Sequence, residues 1–167
     1  MRIAVSGTHG VGKSTLIEEF LRVHPEFVYE PEPYVMLVED YGEEFSAEPC
    51  VEDFLRQLEF NLERLGQHAA SENVIYERCP LDFLAYMNAL GASGTEVLLE
   101  RVSEALQQLD LIVYLPLDHA ANDCEFPKLR TKMDQQLSEL LTTADVTILE
   151  ATGSTAQRLR AIENALG

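Results

Sequence analysis

Eight residues constrain this chain more than any other stretch: Gly7-Thr8-His9-Gly10-Val11-Gly12-Lys13-Ser14. They match the pattern G-x-x-x-x-G-K-[ST], and their context fits it. Before them runs RIAVS (2–6), a short apolar run that reads as a buried strand. After them Leu16, Ile17, Phe20 and Leu21 recur at helical spacing. The residue types follow from the chemistry of holding phosphate. Glycines at 7, 10 and 12 let the backbone curl until its N–H groups converge on phosphate oxygens. The helix beginning near Lys13 aims its positive dipole end at the same point. Lys13 supplies a charge for the β- and γ-phosphates, and the Ser14 hydroxyl can ligate magnesium. With glycine at about 7% of residues, a chance match in a chain this long is on the order of 1%. Gly7, Thr8, His9, Gly10, Val11, Gly12, Lys13, Ser14 and Thr15 are therefore expected to bind a nucleoside triphosphate with Mg2+.

The rest of the chain alternates short apolar runs with amphipathic stretches. FVYE (27–30), NVIYE (73–77), DLIVYL (110–115) and VTILE (146–150) read as four more strands. Between them, Val51 to Leu65, Leu84 to Leu90, Leu98 to Leu109, Leu129 to Leu140 and Leu159 to Leu166 keep a helical period. Pro80 stands near the first turn of its helix. Pro31 and Pro33 read as punctuation closing the second strand. Five strands alternating with helices predict an α/β protein, a parallel sheet with helices on both faces. With 167 residues and no linker, one domain spanning 1–167 is expected.

Charge and cysteine usage narrow the function. Twenty-nine acids against twelve bases leave a net charge of −17, which disfavours nucleic acid polymers as partners. A small anion is still admissible where basic groups converge, and the only lysines are Lys13, Lys128 and Lys132. Cys50, Cys79 and Cys124 are odd in number and scattered, as free thiols in a reducing cytoplasm would be. No apolar run is long enough to span a membrane, and the N-terminus does not read as a signal peptide.

In open α/β sheets ligands lie beyond the carboxyl ends of the strands. The third strand ends in Glu77-Arg78, an acid able to hold magnesium through water and a base able to face phosphate. The N-K-x-D motif expected of a regulatory GTPase is absent, and the acid of DLIVYL stands at the wrong end for a motor ATPase. Both absences favour a small-molecule kinase.

The loop GTHGVGKST, the Glu-Pro steps after strand two and the block ERCPLDFLAY (77–86) resemble a bacterial family of small P-loop proteins classed as AAA-type ATP-binding proteins. More distantly the layout resembles deoxynucleoside and thymidylate kinases. That resemblance implies a three-layer α/β/α P-loop NTPase fold of nucleotide-kinase type. It also implies roles. A glutamate before proline faces the acceptor hydroxyl, for which Glu32 is favoured over Glu30; Glu77 serves magnesium; Arg78 serves phosphate. Asp82 either faces the acceptor or favours the N-terminus of its helix. A lid near 118–135 brings a base to the phosphates, Arg130 fitting better than Lys128 or Lys132. Gly153 sits where relatives bracket the base of ATP, and the acidic stretch from Glu39 to Glu52, with Tyr41, Gly42 and Phe45, is a candidate acceptor wall. The expectation is an ATP- and Mg2+-dependent phosphotransferase with Lys13, Glu32, Arg78 and Arg130 as catalytic residues. It acts on a small-molecule acceptor, in the cytoplasm, as monomer or homodimer. The alternatives are a regulatory ATPase switch and a scaffold with a relic loop.

Overall fold

A computed structural model describes residues 1–68, 72–117 and 125–167. The elements, in chain order, are β1 (Arg2–Ser6), α1 (Lys13–Val23), β2 (Val28–Glu30), α2 (Pro33–Glu39), α3 (Val51–Gln67) and β3 (Val74–Glu77). They continue with α4 (Pro80–Ala89), α5 (Glu96–Leu106), β4 (Leu111–Tyr114), α6 (Pro127–Leu141), β5 (Ile148–Glu150) and α7 (Thr155–Leu166). All neighbouring strands are parallel, in the order β2-β3-β1-β4-β5.

The strands' alternation splits the core in two. Ile3, Val5, Ile75, Leu111 and Val113 face α1 and α7, meeting Leu16, Ile17, Phe20 and Ile162. Ala4, Val74, Tyr76, Ile112 and Tyr114 face the opposite layer, where α3 to α6 contribute Leu58, Phe83, Leu106 and Met133. Covered on both faces, β1, β3 and β4 are buried throughout, which is why they read as continuous apolar runs. Each fully buried Leu or Phe here contributes about 1.5–3 kcal/mol of hydrophobic stabilisation.

One element departs from the reading of the sequence. Pro33 does not merely end β2; it occupies the first turn of α2, where its missing N–H costs nothing. The connection also positions the site. From β1 the chain crosses by α1 to the edge strand β2, whereas from β3 it crosses by α4 and α5 on the other face to β4. The carboxyl ends of β1 and β3, adjacent in the sheet, thus open a crevice where the chain parts.

Candidate active site

The loop at the end of β1 is built for close approach. Gly7 has φ +145°, and a Cβ there would meet the carbonyl oxygen of Leu115 at 2.6 Å, so no other residue fits. Val11 buries its side chain in the core beside α1, leaving its backbone to the loop. Lys13 opens α1 and is 4% exposed, its Nζ donating to the Thr8 carbonyl at 3.0 Å. Burial, reinforced by the charge of Arg78, pulls the Lys13 ammonium down to about 8, although Glu32, Asp82 and Glu77 pull the other way. Thr15 is exposed beside Ser14 on the first turn.

The end of β3 meets this loop. The Ser14 hydroxyl donates to Glu77 Oε1 at 2.7 Å, and the Tyr29 hydroxyl donates to Glu77 Oε2 at 2.7 Å. Arg78, next in the chain, takes φ +80°, uncommon for any residue but glycine. Its backbone N–H donates to the Val5 carbonyl at 3.0 Å, and its guanidinium to Glu32, to the Gly7 carbonyl at 3.1 Å and to Asp82 at 3.4 Å. Burial pushes the Glu32 carboxyl up, but the charges of Arg78 and Lys13 outweigh it and hold the group below the ordinary carboxylate range.

The two glutamates after β2 part company. Glu30 turns toward α3, where it accepts from Arg64 at 2.9 Å and contacts His68. Glu32 instead lines a cavity of about 340 Å3 together with His9, Phe54, Arg78, Tyr86 and Phe126. The rings of Phe54 and Tyr86 are stacked 4.4 Å apart and nearly parallel. Of the acidic stretch, Phe45, Ser46, Ala47 and Pro49 form a wall of this cavity; Tyr41 packs on Phe60 and, like Gly42, does not line it. A wider hollow of about 710 Å3 runs along α3 between Leu37, Phe60 and Arg101, with no residue of the phosphate loop among its described walls.

Asp82 is wholly buried. It accepts from Ser6 Oγ at 2.7 Å, from the Gly7 N–H at 3.0 Å and from the Cys79 N–H at 2.9 Å. Such contacts tie the start of α4 to the loop, and Asp82 does not line the cavity.

Of the expected lid, residues 118–124 lie outside the described residues, Cys124 among them. Its helical part is α6, on which Arg130 is buried while Lys128 and Lys132 are exposed. A Cβ on Gly10 would meet Arg130 Nη2 at 3.6 Å, so this guanidinium overlies the loop. His9 links the two: its Nε2–H donates to the Glu125 carbonyl at 3.0 Å, which leaves Nδ1 to accept from the Tyr86 hydroxyl at 3.1 Å. Burial, with the charges of Arg78, Arg130 and Lys13, lowers the His9 pKa.

On the far side of the loop, Gly153 lines a second cavity, about 270 Å3, with Pro116, Leu117, Thr152 and Arg158. Arg158 Nη1 donates to the Val11 carbonyl at 2.7 Å. The reading of the sequence assigned no role to Arg158, Tyr29, Phe54 or Tyr86. Arg158 and Phe54 belong to no local motif, whereas Tyr29 stands near a strand end and Tyr86 ends the block 77–86, positions that could have raised them.

Ser14 and Glu77 offer hard oxygen donors side by side, the chemistry magnesium prefers. Among the described residues no three His, Cys, Asp or Glu converge. No described helix is long and apolar enough to cross a membrane.

A family model described as an AAA domain matches residues 2–158. No curated protein matches the sequence. Among solved structures, a thymidylate kinase from Ehrlichia chaffeensis superposes with a TM-score of 0.71 at 13% identity, over 99% of this chain and 98% of that one. The deoxyadenosine kinase from M. mycoides with bound dATP gives 0.64 at 17% identity, again over 99% and 98%. The same enzyme with dCMP and dCDP bound gives 0.67 at 18% over the same shares. These likenesses show the fold, a P-loop NTPase α/β/α sandwich of nucleotide-kinase type.

Proposed function

The chain belongs to the AAA-domain family whose model spans residues 2–158, and on that premise we propose that it is an ATP- and Mg2+-dependent phosphotransferase with a small-molecule hydroxyl acceptor. One observation carries this reading: Glu32 and Arg78 stand in contact in the wall of an aromatic-lined cavity that also reaches His9 of the phosphate loop. An acceptor held there would present its hydroxyl to the group cradled by the loop.

The roles follow from position. The N–H groups from Gly10 to Lys13 hold the triphosphate, those of Gly7 and His9 being taken by Asp82 and Tyr86, and Lys13, freed from the Thr8 carbonyl, offsets charge on the transferring phosphoryl. Arg158 and Gly153 flank the space for the nucleotide base. Ser14 and Glu77 would hold magnesium, with the Tyr29 hydroxyl fixing the carboxylate. When bound, the ion neutralises charge on the phosphate oxygens. The acceptor oxygen bonds to the γ-phosphorus as the bond to the β–γ bridging oxygen breaks; ADP leaves, and the hydroxyl proton passes toward Glu32. Because Arg78 keeps Glu32 ionised, this carboxylate orients the hydroxyl and takes up the proton late, when bond formation has acidified it. Arg78 and Arg130 stabilise the phosphoryl group in flight. Positioning and electrostatics supply most of such a rate. The reaction runs in the cytoplasm, on a monomer or homodimer of one domain.

The test separates binding from transfer. Glu32→Gln is expected to lower kcat with an acceptor roughly 10²–10⁴-fold while nucleotide affinity holds, and Lys13→Ala is expected to abolish transfer. Unchanged acceptor-dependent ADP formation in both variants would refute the proposal.

A further inference from the structure

The acceptor cavity is unusual in its charges. Among the described residues three acids line it, Glu32, Asp53 and Glu125, against one guanidinium, Arg78. That guanidinium already faces Glu32 and Asp82. Arg56 stands behind the wall, bound to Asp53 at 2.5 Å and Glu43 at 3.0 Å, with its guanidinium over the Phe45 ring. Both ring nitrogens of His9 are engaged, one with the Glu125 carbonyl and one with the Tyr86 hydroxyl.

The sequence makes the deficit general. From Val23 to Leu55, the stretch that supplies most of the wall, there are ten acids and not one lysine or arginine. A phosphorylated acceptor would bring a dianion into this space, and its recognition needs cationic donors besides Arg78, which the transferring phosphoryl already engages in the phosphotransferase reading. Lys13, Arg130 and Arg158 are arranged around the loop itself and serve the triphosphate.

Resting on the phosphotransferase reading, we infer that the acceptor is a hydroxyl compound without negative charge, uncharged or cationic, carrying a flat ring. Phe54, backed on one face by the buried Tyr86, offers its other face to that ring, with Phe45 and Phe126 around the cavity. The product, not the substrate, bears the phosphate: the acceptor O–H becomes O–PO₃²⁻, ADP leaves, and one proton is released. The same acidic wall then repels the product and speeds its departure.

Matched pairs test this directly. The protein, loaded with Mg2+ and a non-hydrolysable ATP analogue, is titrated calorimetrically with thymidine and TMP, deoxyadenosine and dAMP, cytidine and CMP, guanosine and GMP. In each pair that binds, the uncharged member is expected to bind about tenfold tighter or more; a monophosphate that binds as tightly as its nucleoside, or tighter, overturns the inference, as does no binding by any uncharged member. Ala47→Lys, at an exposed position on the wall, is expected to raise the affinity for a monophosphate relative to its nucleoside about tenfold. No gain for the monophosphate overturns it as well. Label transfer from ATP in parallel tells the two proposals apart. Phosphorylation of monophosphates would leave a kinase with the acceptor class wrong, whereas tight nucleoside binding without transfer would keep the charge preference and remove the kinase.

Discussion

Arg78 joins more of the site than its place in the sequence indicates. Its left-handed backbone turns the chain at the end of β3, and its side chain meets Glu32, the Gly7 carbonyl and Asp82. Positive φ in an arginine is a strain of order 1–3 kcal/mol, held here by those contacts. Lys13 carries a prediction of its own. With its ammonium pulled down to about 8, a substantial fraction is neutral near pH 8, and triphosphate oxygens favour the charged form. ATP binding at pH 8 is therefore expected to take up protons, by a fraction of a proton per site, and almost none at pH 6, where Lys13 is already charged. Calorimetry in buffers of different ionisation enthalpy measures the uptake; equal uptake at both pH values, or in Lys13→Ala, would contradict the assignment. At this scale, residues with local spacing were legible: Lys13, Ser14, Glu77 and Arg78 follow from a loop and a strand end. Arg158 was not, because it reaches Val11 across 147 positions of chain from a helix face without a motif.

α4 is a helix tied to the phosphate loop at its first turn. Asp82 accepts from the Cys79 N–H of its own N-terminus and from Ser6 and Gly7 of the loop, so helix capping and loop geometry share one buried carboxylate. Asp82→Asn keeps the shape but removes the charge that faces Arg78. It is expected to cost about 2–4 kcal/mol, read as a lowered urea midpoint with unchanged m-value. A loss under about 0.5 kcal/mol would be that of an ordinary surface change, and would show that the contacts are incidental. The order of strands and helices was legible because period and turn signals coincide along most of the chain. α2 was not, because Pro33 reads as a breaker until it is seen at a helix's first turn. The resemblance favoured Glu32 over Glu30, but how the two differ in space was not legible: both precede proline, and Arg64 of α3 and His68 just beyond it take up Glu30.

At the scale of the whole molecule, a net charge of −17 on 167 residues makes self-repulsion a standing cost. Surface ion pairs such as Arg101–Glu59 offset little of it. Salt screens both, and the excess of like charge outweighs the few pairs. The melting temperature is thus expected to rise by several degrees, worth about 1 kcal/mol, between low salt and half-molar sodium chloride; a fall would show that the ion pairs dominate. Within that acidic field the loop, with Lys13, Arg130 and Arg158, is the basic focus of the carboxyl-end crevice. The most direct test of that arrangement follows the γ-phosphate. Protein with Mg2+, γ-labelled ATP and pooled hydroxyl metabolites should place label on an acceptor, and Lys13→Ala should place none. Label appearing only as free phosphate, or equally with Lys13→Ala, would contradict a phosphotransferase built on this loop and cavity.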